Sequence, residues 1–144
     1  MKTLILAGAL FAVTAVASSH HSLNGTWILI PDRSNFGGLP AIQTGSVTIN
    51  DRQGNITVSR NYTYDGATDT LSYSFAVDGR ENSTIHSGKD LKVKAKWEGR
   101  ILNVTTTREG IVTVERYSLE PDGTMMLNAE LPGRNPMSLV FRRQ

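Results

Sequence analysis

The chain has 144 residues, 39% hydrophobic and 19% charged, with 15 basic side chains against 13 acidic ones and no cysteine. That length fits one domain, and a net charge of +2 is a small surplus of bases, not a face built for nucleic acid. Without cysteine there are no disulfides, zinc–thiolate sites, cysteine nucleophiles or acylated N-terminal cysteine.

Lys2, the apolar run 4–16 and the small-x-small sequence Ala15-Val16-Ala17 read together as a signal peptide over residues 1–17. The run is too short to span a bilayer, which needs about 20 residues. Cleavage after Ala17 leaves 127 residues with a net charge of +1. The expected product is exported, to the periplasm or outside the cell, and holds no second apolar run for a membrane span. Residues 18–24 are expected to form a flexible N-terminus. Within it, Ser18-Ser19-His20 offers an α-amine, two backbone amides and one imidazole nitrogen, a set that chelates Cu(II) or Ni(II) in a plane.

From Gly25 onward the hydrophobic period is two. Leu71, Tyr73, Phe75 and Val77 alternate with Thr70, Ser72, Ser74 and Ala76, and Leu91, Val93, Ala95 and Trp97 alternate with Lys92, Lys94 and Lys96. Such alternation marks strands with one buried and one wet face, and a lysine-bearing outer face discourages edge pairing. Gly54, Gly66, Gly79, Gly88, Gly99, Gly110 and Gly123 recur every 9 to 13 residues. Several close Asp-Gly or Glu-Gly pairs (Asp65-Gly66, Asp78-Gly79, Glu98-Gly99, Glu109-Gly110 and Asp122-Gly123), which is a hairpin signal. Ten strands are predicted, starting near Gly25, Thr44, Asn55, Thr70, Asn82, Asp90, Ile101, Ile111, Thr124 and Met137. The connection 31–43, with Pro31, Gly37, Gly38 and Pro40, is too broken for a sustained helix. An all-β, antiparallel up-and-down meander of this length leaves two exposed edges unless it curls. The expected fold over 25–144 is therefore a closed or nearly closed barrel of about eight to ten strands. Its interior would hold about one small ligand.

The opening Gly25-Thr26-Trp27 and the apolar last strand ending in Arg142 and Arg143 resemble the calycin group of lipocalins and fatty-acid-binding proteins. The stretch Ala95-Lys96-Trp97-Glu98-Gly99-Arg100 is similar to a turn of fatty-acid-binding proteins. Gly25-Thr26-Trp27-Ile28-Leu29 with Ser34-Asn35-Phe36 resembles small exported bacterial lipocalin-like proteins. The resemblance covers residues 23–144. It implies that Gly25 and Trp27 close the barrel base, with a basic side chain from the last strand, Arg142, over the indole. It also implies a ligand-binding arginine at Arg116, in Val114-Glu115-Arg116-Tyr117. The chain departs from the group in three ways. Residues 31–43 leave no room for a helical lid, the last strand reads Leu139-Val140-Phe141 where an Arg-x-Tyr would grip a carboxylate, and the lipocalin Asp-x-Tyr is missing.

Candidate ligand contacts follow from phase. Arg60 falls in step with Ile56, Val58, Tyr62 and Tyr64, and Arg116 with Val112 and Val114. A guanidinium on an apolar face needs an anion or a polar network to meet it; otherwise a bulge turns it outward. Tyr62, Tyr73, Phe75 and Met125 are expected either to line the same cavity or to fill the core. No Gly-x-Ser-x-Gly, His-Glu-x-x-His or phosphate-loop motif occurs, and His86 is expected to stand in solvent near a turn. Asn24, Asn55, Asn61, Asn82 and Asn103 each start an Asn-x-Ser/Thr sequon, which a eukaryotic secretory host would read. The expectation is a monomeric, non-enzymatic carrier without metal or cofactor. Its partner is a small apolar or amphipathic ligand, an acidic head group being one option. The alternative is a solid barrel that binds a protein, such as an exported enzyme, through loops 31–43 and 131–136.

Overall fold

Period-two alternation becomes ten antiparallel strands in the computed structural model, which describes residues 22–144. The expected leader and the Ser18-Ser19-His20 chelate lie outside the described residues. The strands are β1 (Gly25–Leu29), β2 (Thr44–Arg52), β3 (Asn55–Tyr64), β4 (Ala67–Ala76), β5 (Asp78–His86), β6 (Lys89–Glu98), β7 (Ile101–Arg108), β8 (Ile111–Leu119), β9 (Met125–Glu130) and β10 (Met137–Arg143). Among the described residues there is no α-helix, only a single 3-10 turn at Pro31–Arg33.

Four hairpins turn on two consecutive left-handed residues: Gln53-Gly54, Asp65-Gly66, Ser87-Gly88 and Glu109-Gly110. This is the turn whose twist matches that of the flanking strands. The sheet order is β4-β3-β2-β1-β10-β9-β8-β7-β6-β5. The barrel therefore closes where the first strand pairs with the last, Trp27 opposite Arg143 and Leu29 opposite Phe141. Its seam lies between β4 and β5, which are consecutive yet unpaired. Here the hairpin expected at Asp78-Gly79 does not form. Asp78 Oδ1 accepts from the Arg80 backbone N–H at 2.9 Å, and the register of β5 against β6 shifts between Asp78 and Glu81. A bulge of this kind bends its strand, and it aims β5 away from β4.

One half of the interior is solid. Trp27, Ile56, Val58, Val93, Leu102, Val104, Tyr117, Met125 and Phe141 are all buried there, at the end where the β2–β3, β6–β7 and β8–β9 turns gather. Trp27 is fully buried and its indole Nε1–H donates to the Leu23 carbonyl at 2.8 Å. Over the ring lies Arg143, with its guanidinium carbon 4.4 Å from the centroid. The expected arginine was Arg142, which is exposed. Antiparallel pairing puts residues directly opposite each other on one face, and Trp27 is opposite Arg143, with Arg142 opposite Ile28. Gly25 is left-handed, and a Cβ there would stand 3.3 Å from Arg143 Nη1, so glycine makes room for the guanidinium. Residues 22–24, the described part of the segment 18–24, are tied to the barrel. Leu23 is buried, Arg143 Nη1 donates to the Asn24 carbonyl at 2.6 Å, and Asn24 Oδ1 accepts from the Asp51 N–H at 2.6 Å.

Candidate ligand-binding site

The other half of the barrel is hollow. A cavity of about 760 Å³ opens at the end where the β3–β4, β5–β6, β7–β8 and β9–β10 connections gather, together with the loop that follows the 3-10 turn. Its apolar wall comes from Leu71, Leu91, Leu127, Ala129 and Leu139, and its mouth from Phe36, Leu39, Ile42, Ile111, Leu131 and Met137. Ligand pockets for drug-sized molecules run at about 300–1,000 Å³.

Where the hollow half meets the solid half stands a polar cluster. Arg60 on β3 and Glu115 on β8 face each other, Arg60 Nη1 to Glu115 Oε1 at 3.4 Å, with side-chain exposures of 25% and 7%. The other carboxylate oxygen of Glu115 accepts from the buried Tyr117 hydroxyl at 2.5 Å. The Arg60 guanidinium also lies over the Tyr62 ring, 5.5 Å from its centroid. Tyr62 stands edge-on to Tyr64 at 6.4 Å between centroids. The Tyr62 ring also lies against the backbone of Gly45, where a Cβ would come within 3.0 Å of Tyr62 Cδ1. Gly45 faces Tyr62 in the strand register, so a side chain at position 45 would make the ring give way by a few tenths of an ångström.

The electrostatics follow from burial. Desolvation works against the Arg60 charge, but Glu115, with smaller contributions from Tyr62, Tyr117 and Tyr73, outweighs it and holds the guanidinium protonated. Burial is the main cause that pushes the Tyr62, Tyr73 and Tyr117 hydroxyls above the usual phenol range. The Glu115 charge adds to this at Tyr73 and Tyr117, whereas Arg60 opposes it at Tyr62. Two polar atoms of this cluster are buried without a protein partner, Arg60 Nε and the Tyr62 hydroxyl, and so is Arg108 Nε, from another residue of the cavity wall.

Arg60, Tyr62 and Tyr73, expected as ligand contacts, all line the cavity. Phe75 and Met125 do not. Phe75 packs beside Tyr73 at 5.7 Å between ring centroids, and Met125 is wholly enclosed in the solid half. Arg116 is on the outer face, where its Nη1 pairs with Glu130 Oε1 at 3.0 Å and its side chain is 40% exposed. The inward phase of β8 belongs to Thr113, Glu115 and Tyr117, opposite to the phase expected. The strand turns this way because register puts Arg116 opposite Asn128 and Glu115 opposite Ala129, and β9 buries Met125, Leu127 and Ala129. His86 is half-buried and joins the cavity wall, so it is not free in solvent. Among the described residues, no group of three or more His, Cys, Asp or Glu side chains is placed to hold a metal.

No family model and no curated protein sequence matches this chain. Solved structures do match in fold. A point mutant of the fluorescent protein UnaG superposes with a TM-score of 0.67 at 20% identity, covering 85% of this chain and 96% of that one. Human cRBP IV, a cellular retinol-binding protein, gives 0.63 at 17% identity over 86% and 99% of the two chains. The fatty-acid-binding protein 1 of Echinococcus granulosus gives 0.64 at 12% identity over 84% and 96%. The fold is that of a calycin barrel.

Proposed function

We propose that this barrel is an exported, monomeric carrier that binds one small apolar or amphipathic molecule and does no chemistry on it. The observation that carries the reading is the 760 Å³ cavity, walled by leucines and ending on a polar cluster. Its mechanism is burial, in which apolar walls contribute roughly 25 cal/mol for each Å² of ligand surface removed from water. The polar groups at the inner end then fix orientation. The names of the fatty-acid-binding and retinol-binding structures that share the fold support the same class of ligand. Export is supported by the leader-like sequence of residues 1–17. A barrel that bound a protein through loops 31–43 and 131–136 would have no use for this volume. Moreover, Phe36, Leu39, Pro40, Ile42 and Leu131 of those loops face the cavity.

Native mass spectrometry of the protein purified from its own host tests the reading. A co-purifying small molecule of mostly apolar composition is the expected result. A clean apo mass, together with no saturable binding of long-chain alcohols, amides or acids, would contradict it.

A further inference from the structure

We infer that the head group this cavity selects is a neutral oxygen, a hydroxyl or carbonyl, and not a carboxylate. The inference rests on the ligand-binding reading above and specifies its chemistry.

The first observation is charge. The cation at the inner end of the cavity, Arg60, already has its counter-ion in Glu115, 3.4 Å away. A ligand carboxylate brought to Arg60 would also come up against Glu115, so attraction and repulsion at similar distances largely cancel. What is left is the cost of stripping water from the ligand's charge, which an unpaired carboxylate in an apolar cavity does not recover. The arginine that could have balanced such a charge from β8, Arg116, points outward to Glu130. The other charged groups of the cavity, Asp65, Arg108 and Glu109, stand at its mouth, at the β3–β4 and β7–β8 turns. Glu109 is held by Lys89 at 2.8 Å, and Arg108, whose Nε is buried without a protein partner, is the cation there that a ligand anion could meet.

The second observation is hydrogen bonding. Tyr62 is only 4% exposed, and its hydroxyl has no protein partner; nor does Arg60 Nε. The guanidinium N–H is a donor only, and the phenol hydroxyl both donates and accepts. A hydroxyl oxygen on the ligand can satisfy both groups, and so can a carbonyl oxygen. Both residues line the cavity, which brings the two atoms within reach of a ligand after side-chain adjustments of the kind common on binding. A neutral oxygen satisfies them at a small desolvation cost, and the Arg60–Glu115 pair stays intact.

Isothermal titration calorimetry with dodecanol, dodecanamide and dodecanoate at neutral pH tests this on the full mature chain. The alcohol and the amide are expected to bind at least about tenfold more tightly than the acid. Tyr62→Phe removes only the unpartnered hydroxyl and should weaken dodecanol binding by about fivefold, the worth of one net hydrogen bond. Glu115→Gln frees Arg60 and should invert the alcohol-to-acid ratio. If that variant fails to fold, the wild-type ratio and Tyr62→Phe still decide the matter. Dodecanoate binding as tightly as dodecanol to the wild type would overturn the inference. Loss of that acid binding in Arg108→Met would then place the carboxylate at the mouth. Failure of all three probes would instead overturn the ligand-binding reading itself.

Discussion

Arg60 and Glu115 are 55 residues apart in sequence and sit on β3 and β8, which are five strands apart in the ten-strand order and so face each other across the barrel. Their 3.4 Å ion pair is a strut through the interior, level with the boundary between packed core and open cavity. Breaking one side of such a pair leaves a charge with little water around it. Arg60→Met should therefore destabilise the protein by about 3–5 kcal/mol. The double variant Arg60→Met/Glu115→Met should cost clearly less than the sum of the singles. Urea titrations of all four proteins check this, and strict additivity would show that the two groups do not depend on each other.

Arg116→Leu should leave the affinity for a fluorescent long-chain alcohol probe unchanged, because its guanidinium is on the outer face with Glu130. Exposed pairs of this kind contribute roughly 0–1 kcal/mol, so stability should barely move. A tenfold loss of probe affinity would mean that β8 presents its other face to the cavity.

Closure of the barrel base depends on Trp27 and Arg143. Trp27→Ala should cost about 3–5 kcal/mol, the usual loss for a fully buried large aromatic. Trp97→Ala, at a half-buried position on β6, should cost less. Arg143→Ala removes the guanidinium over the indole and its bond to the Asn24 carbonyl. It should be more destabilising than Arg142→Ala, which should stay within about 0.5 kcal/mol of wild type. Denaturant titrations that rank Arg142 above Arg143 would contradict this assignment of the base.

Asp122, in the β8–β9 turn, has its carboxyl drawn down to about 2, chiefly by hydrogen bonds from the Thr124 hydroxyl and N–H and then by Arg33. A carboxylate with a lowered folded-state pKa stabilises above its unfolded value and loses that stabilisation as pH falls through the folded value. The melting-temperature gap between wild type and Asp122→Asn should therefore hold steady above about pH 4 and narrow toward about pH 2. A gap that widens on acidification would assign the effect to another group.

The strand plan was legible in the sequence because alternation and left-handed turn residues act locally. Leu71, Tyr73 and Phe75 on β4, and Leu91, Val93 and Ala95 on β6, are inward as their spacing predicts. The seam between β4 and β5 was not legible, since Asp78-Gly79 serves a bulge as readily as a hairpin. The phase of β8 was ambiguous because Val112, Val114 and Arg116 look no less plausible inside than Thr113, Glu115 and Tyr117. Pairing across the β8–β9 turn resolves it. Met125, Leu127 and Ala129 are an unmistakable inner face, and the residues opposite them, Leu119, Tyr117 and Glu115, must share it. The choice of Arg143 over Arg142 has the same origin, in pairing partners that no single strand displays.

The central claim is that the hollow half of the barrel is a binding site. Ala129 lines it, directly opposite Glu115 on β8 and Met137 on β10, so an indole in place of that methyl would fill the space above the polar cluster. Calorimetric titration of dodecanol into the wild type and into Ala129→Trp is the most direct test, with circular dichroism confirming that both are folded. Saturable binding to the wild type that is lost in Ala129→Trp is the expected result. No saturable binding to the wild type, or equal binding to both, would contradict it.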